Sequence, residues 1–263
     1  WDFIQLGTVL PPAEVDEIAA YRSMYKVCGE CELVMRGGPD YFNGLNIASG
    51  YAMCNVSQET MRKQGKEIVA VYSYGIERED SWGTHLALEF NVPVYRYDCF
   101  ADFSLMYVVT HFPEEETFNY EECLVGTEDN QVHTYNRARY DTEYKKVGTL
   151  QQHLERNGHA NVAEGSLIGK IDVEGSEWLV LAHARIEDLR KFSQIVIELH
   201  TPGIRRPLDK LRMSVRKDAL QKLFDAGFVI IHVHANNVDK IVYTGDNGVV
   251  TDLALELTFA MPD

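Results

Sequence analysis

From Glu67 onward, short apolar, β-branched runs alternate with longer segments of helical spacing. This alternation constrains the fold most, because consecutive parallel strands need a crossover, usually a helix, between them. The apolar runs predict strands over Ile68–Ser73, Pro93–Asp98, Cys123–Val125, Leu167–Val173, Gln194–His200, Phe228–Ala235 and Leu253–Phe259. The segments between predict helices over Ser81–Phe90, Thr149–Asn157, Ser176–Ala184 and Ser214–Ala226, the last closed by Gly227, a favoured residue just past a helix end. No helix separates the final two strands, only Asn236-Asn237 and a Gly-rich loop, so they predict an antiparallel hairpin at a sheet edge. The expected fold is α/β: a Rossmann-like, mostly parallel seven-stranded sheet with a C-terminal antiparallel hairpin and helices on both faces.

Residues 1–65 stand apart as an N-terminal helical extension, with a substrate or packing role, ahead of a Rossmann-like domain over 66–263. Val15, Ile18, Arg22 and Tyr25 keep helical spacing after Pro11-Pro12. The chain begins at Trp1 rather than Met, which reads as a piece of a longer, multidomain product. A formal net charge of -15 repels phosphate and argues against nucleic-acid and membrane partners. Arg205-Arg206, Lys210, Arg212, Arg216 and Lys217 form a local basic cluster, read as a solvated face. No apolar run approaches the roughly 20 residues of a membrane span, and no signal peptide opens the chain. The five cysteines are odd in number and scattered; Cys28-Gly29-Glu30-Cys31 lacks a second C-x-x-C to complete a zinc site. The expectation is reduced thiols and a cytoplasmic protein.

Ligands of open α/β sheets gather at the carboxyl ends of the strands, and each predicted strand here ends in polar groups. The first runs Ser73-Tyr74-Gly75, then on to Asp80, Ser81 and Trp82. A glycine there permits close backbone approach, and Asp80 or Ser81 suits a helix cap. The stretch is not G-x-G-x-x-G, so a pyrophosphate cradle is poorly supported. Asp98 ends the second strand, 25 residues after Ser73, near the spacing of an acid that holds ribose hydroxyls. Asp172 and Glu174 end the fourth strand, Glu198 and His200 the fifth; His232 and His234 follow on the next. Residues two apart on a strand share a face, so these groups are expected to converge on one cleft. Each has a plainer explanation: a strand histidine is more often structural, Glu174 and Glu177 suit a helix N-terminus, and Trp178 suits the core. Clustering at one edge favours the functional explanation.

In order along the chain, VYSYGIEREDSW, VYRYDCF, GSLIGKIDVEGSEWLVL, QIVIELH, HVHANN and LELTFA resemble the FkbM-like and methyltransferase-like-24 type of S-adenosylmethionine (SAM)-dependent methyltransferases. The likeness spans roughly Tyr51 to Phe259, and the DVEGSEW and IELH blocks are its specific parts; Tyr74 stands where the pattern usually has Phe. The resemblance implies a class I methyltransferase fold and SAM as cofactor. Ser73, Tyr74 and Gly75 would contact the methionine part, with Ser81 and Trp82 following, and Asp98 would hold the ribose. Gly126 and Thr127 would lie near adenine, and Asp172 beside the reacting centre.

Family members methylate hydroxyl groups, often on sugars, and some need a divalent cation. The expected activity is therefore O-methyl transfer to a carbohydrate or small hydroxylated acceptor. Asp172, Glu198 and His200 are the expected ligands of Mg²⁺ or Mn²⁺, and Asp172, His200 and His234 the expected catalytic groups. Two other readings stay open: a metal-dependent hydrolase built from Asp172, Glu174, Glu198, His200, His232 and His234, or a silent binding module. Tyr41, Phe42 and Tyr51 could stack on a sugar, though packing explains them as well.

Overall fold

A computed structural model of the chain describes residues 24, 26–37, 50–76, 80–101, 103, 117–136, 141–200, 210–235 and 254–262; the side chains of 133–136, 141, 210–213 and 234–235 lie outside the description. The expected helix through Val15 and Tyr25 also lies outside it. What is described of the first 65 residues is an antiparallel strand pair, β1 (Leu33–Arg36) and β2 (Tyr51–Cys54), and a short helix, α1 (Gln58–Lys63).

The main sheet begins with β3 (Ala70–Tyr74), followed by helix α2 (Ser81–Phe90), β4 (Val94–Tyr97) and β5 (Thr117–Tyr120). Helix α2 starts where Asp80 accepts the Gly83 N–H and stops at Asn91, whose left-handed φ of 55° closes the last turn. Then come β6 (Cys123–Val125), β7 (His133–Asn136), β8 (Asp141–Tyr144), β9 (Val147–Thr149) and α3 (Leu150–Arg156), the last opened by a Thr149/Gln152 capping box. The second half supplies β10 (Leu167–Ile171), α4 (Glu177–His183), α5 (Ile186–Leu189), β11 (Phe192–His200), α6 (Lys210–Asp225), β12 (Val229–Ala235) and β13 (Ala254–Ala260).

The seven-stranded sheet has the order β12-β13-β11-β10-β3-β4-β5. Neighbours from β11 to β5 are parallel; β13 is antiparallel to both β11 and β12, between which it inserts. This is the strand order of the Rossmann-like methyltransferase fold. One face of the sheet packs Val71, Val94, Ile168 and Val196 against Trp82 and Leu86 of α2 and against Met53 of β2. The other packs Tyr72, Ile171 and Ile197 against Leu154 of α3, Leu181 of α4 and Leu220 of α6. The predicted third strand, Cys123–Val125, forms but pairs with β9 in a separate two-stranded sheet. Its place in the main sheet is taken by β5, a polar Thr-Phe-Asn-Tyr run with little apolar signal.

The expectation of reduced thiols is corrected. Cys31 is bonded to Cys54 and Cys99 to Cys123, with Cα atoms 5.5 and 4.8 Å apart; Cys28 is the free one. Sequence separations of 23 and 24 residues hid both pairs: the β1–β2 pairing and the turn after β4 bring the partners together. The cytoplasmic expectation rested on those thiols and loses that support. No described helix is long and apolar enough to cross a membrane.

Candidate active site

The carboxyl ends of β3, β4 and β10 form one rim. Asp172 N–H donates to Tyr74 O (3.1 Å) and Gly75 N–H to Tyr97 O (2.9 Å), extending the parallel ladder by one step on each side. Gly75 has φ 74°, and a Cβ there would fall 1.4 Å from the Asp172 carbonyl oxygen. The glycine is therefore demanded by the neighbouring strand. Asp98 locks the turn: its carboxylate accepts N–H groups from Ile76 (3.0 Å), Phe100 (2.7 Å) and Ala101 (2.9 Å). Lys170 donates to Gly75 O at 2.6 Å and lies 3.3 Å from Asp172 Oδ2, so one cation ties the glycine turn to the acid beside it.

Several residues expected to touch cofactor support the rim from beneath. Ser73 is fully buried and donates to Asp80 Oδ1 at 2.9 Å; Arg96 donates to the other Asp80 oxygen at 2.9 Å. Tyr74 is buried in a stack with Tyr97 and His153, and its hydroxyl finds no partner among the described residues. Ser81 is buried in the first turn of α2, and Trp82 donates its indole N–H to Met53 Sδ in the core. Gly126 packs against the backbone of α4, where a Cβ would meet Leu179 O at 2.5 Å, and Thr127 donates to Asn130 Oδ1 from both backbone and hydroxyl.

On the β10–β11 side lies a second group. After β10 the chain turns through Glu174 (φ 53°) and Gly175 (φ 103°) before entering α4. The coordinating atoms of Asp172, Glu174 and His200 all lie within 4.8 Å of one another. Glu198 Oε1 is 3.7 Å from His200 Nε2. Register places Glu256 of β13 directly opposite Glu198, and His234 of β12 opposite Glu256. His232, opposite Thr258, has its pKa lowered by burial. From the N-terminal strand pair, buried Tyr51 donates to Asp172 Oδ2 at 3.4 Å.

The electrostatics follow from this crowding. Burial by itself would lower the His200 pKa, but the hydrogen bond to Glu177 and the charges of Glu177, Glu174 and Asp172 outweigh it and raise the imidazole to about 9. Near neutral pH this favours the imidazolium, with Nδ1 donating to Glu177 and Nε2 facing Glu174 and Glu198 at 3.5 and 3.7 Å. Burial, with Glu198 and Asp172 adding to it and Lys170 opposing, pushes Glu256 up to about 7. Burial and the charges of Asp172, Glu198 and Glu256 hold the Tyr51 hydroxyl well above its ordinary pKa. Like charges facing each other across strands oppose folding, so a bound cation would relieve the cluster.

Sequence reasoning did not assign Lys170, Glu177 and Glu256 to the site, and weighed Tyr51 only as a sugar-stacking or packing residue. A lysine inside an apolar strand and a glutamate flanked by leucines in LELTF were the available signals.

No family model and no curated protein matches the chain in sequence. Solved structures do match. The Methanococcus jannaschii fibrillarin pre-rRNA processing protein is 13% identical over 74% of this chain and 67% of its own, with a TM-score of 0.40. A TehB-like SAM-dependent methyltransferase from Corynebacterium glutamicum is 12% identical over 80% of this chain and 90% of its own, at 0.30. The glycopeptide N-methyltransferase MtfA, complexed with SAM, is 9% identical over 98% and 100%, at 0.30. Likeness this loose carries no conclusion about activity; the strand order itself defines the fold.

Proposed function

We propose that the chain is a SAM-dependent O-methyltransferase of the FkbM-like type, acting on a hydroxyl of a carbohydrate or small hydroxylated acceptor. The observation that carries this reading is the single rim, in a sheet of methyltransferase strand order, that joins Gly75, Asp98 and Asp172 at adjacent strand ends. The donor set fits the cofactor: Asp98 is a carboxylate held rigid by backbone N–H groups where ribose hydroxyls need an acceptor. When bound, SAM supplies an electrophilic methyl group on a sulfonium. The protein's task is then alignment and proton handling. The Gly75–Ile76 turn would hold the methionine part, with Ser73 and Tyr74 supporting that turn from below. Gly126 and Thr127 would border the adenine side.

Asp172, Glu174 and His200, with Glu198 beside them, are the residues that would hold a divalent cation. Hard oxygens suit Mg²⁺, and one imidazole shifts the preference toward Mn²⁺. Such a cation would lower the pKa of the acceptor hydroxyl and orient it. Coordination must displace the proton that His200 carries at neutral pH. Without a cation, His234 would take the proton that the acceptor hydroxyl loses, and protonated His200 would only hydrogen-bond and orient that hydroxyl. A hydrolase would use the same acids and imidazole but would leave the Gly75–Asp98 turn unexplained. The paired cysteines favour an oxidising compartment for the protein.

Calorimetry with SAM tests the cofactor site: wild type binds, and Asp98→Ala weakens binding by about 10–150-fold, as expected for a charge-assisted hydrogen bond worth ~1.5–3 kcal/mol. Equal affinity in the two proteins removes Asp98 from the site, and no binding by wild type ends the methyltransferase reading. Turnover unchanged by EDTA ends the cation reading alone.

A further inference from the structure

The DVEGSEW block contains a carboxylate that the mechanism above leaves without a task. Glu177 is fully buried at the start of α4. Its Oε1 accepts three N–H groups: Val173 N at 2.9 Å, Gly175 N at 3.1 Å and His200 Nδ1 at 3.0 Å. Two of these donors belong to the turn that carries Glu174; the third belongs to the imidazole at the end of β11. A single oxygen therefore sets the turn and the ring together. With Nδ1 committed to Glu177, Nε2 is left toward Glu174 (3.5 Å) and Glu198 (3.7 Å). Trp178, next in sequence, donates its indole N–H to His200 O at 2.8 Å, so adjacent residues of one helix hold both the backbone and the ring of that histidine. A carboxylate taken wholly out of water carries a desolvation cost of several kcal/mol unless something is gained from it. Its other oxygen, Oε2, has no hydrogen-bond partner among the described residues. A purely structural turn anchor needs no charge, because a glutamine oxygen serves two backbone N–H groups equally well.

We propose that Glu177 is the positioning residue of the site: it fixes the His200 ring with Nε2 directed at the acids of β10 and β11, and holds the Glu174 turn against it. The arrangement is that of a carboxylate behind a working imidazole, where the outer partner sets ring orientation and tautomer. The proposal rests on the methyltransferase reading for what the imidazole does, but not for the pairing itself.

The test is Glu177→Gln, which keeps an oxygen for the two loop N–H groups and removes the carboxylate. The expected result is a melting temperature and SAM Kd close to wild type, an acceptor KM within a few-fold, and a kcat lower by about 10–100-fold, the usual effect of losing such an outer partner. An unchanged kcat in a folded, SAM-binding variant overturns the proposal. A second measurement needs no turnover. In a ¹⁵N-histidine NMR spectrum, with His200 assigned by its absence in His200→Gln, wild type shows a downfield, slowly exchanging Nδ1 proton, and Glu177→Gln moves it upfield. Absence of that proton in wild type, or its persistence unmoved in the variant, also overturns the proposal. If wild type forms no S-adenosylhomocysteine with any acceptor, the methyltransferase reading fails and the NMR comparison still decides the pairing.

Discussion

Gly75 shows how one residue ties local backbone to long-range packing. Its positive φ disfavours any side chain, and the Asp172 carbonyl fills the space where a Cβ would go. Gly75→Ala is expected to cost at least about 3 kcal/mol, from left-handed strain plus displacement of a neighbouring strand end. Thermal melting checks this, with a drop of roughly 6–12 °C expected for a chain of this size. Glu256 gives a prediction of the opposite sign. Its folded pKa of about 7 lies above the ordinary 4.5, so the folded state binds the proton more tightly than the unfolded one. Folding is thus opposed progressively as pH rises from about 4.5 to about 7, and the full penalty persists above that. Glu256→Gln removes the penalty and should stabilise the protein at pH 8 by about 1–2 kcal/mol while leaving pH 4 nearly unchanged. Melts at the two pH values decide it; equal shifts at both would show that charge is not the cause. The placing of Asp98, Asp172 and His200 at the strand ends was legible, because strand ends advertise polar groups. Glu256 was not, because only the register of β13 against β11 brings it opposite Glu198.

Among the elements, helix α2 was legible to the residue because its cap, its apolar spacing and its terminator are all local signals. The third strand of the sheet was not. Cys123–Val125 is apolar and looks like sheet, yet its hydrogen bonds go to β9, while polar β5 takes the edge where less burial is required. The strand pair β1–β2 lies within the stretch expected to be a helical extension, where no strand was anticipated. It is held at both ends: Arg36 makes a bidentate pair with Glu89 of α2 at 2.6 and 2.7 Å, and the Cys31–Cys54 bond closes the other end. Replacing both cysteines by serine is expected to lower stability by about 2–4 kcal/mol. Melting the wild type with and without reductant checks this bond together with Cys99–Cys123. A wild type insensitive to reductant would show that the pair carries no strain on the unfolded chain.

At the scale of the molecule, the strand–helix alternation made the α/β class and the edge hairpin readable, since both depend on periodicity and connection length. The cysteine pairing, the side sheet and the approach of the first 65 residues to the site were not readable, because each depends on distances that only the closed sheet defines. Strand β2 does reach it. Gln194 of β11 both accepts from Cys54 N–H (2.9 Å) and donates to Cys54 O (3.2 Å), and Thr258 of β13 donates to Ala52 O. Strand β2 therefore lies across the β11–β13 side of the sheet and delivers Tyr51 to Asp172. On the ribosome, strand β2 can pair with β1 early but completes its seat on the sheet only when β13 emerges, since Thr258 follows Ala52 by 206 residues. Seating of Tyr51 beside Asp172 is thus a late event of biogenesis, and a chain cut before β13 should lack it.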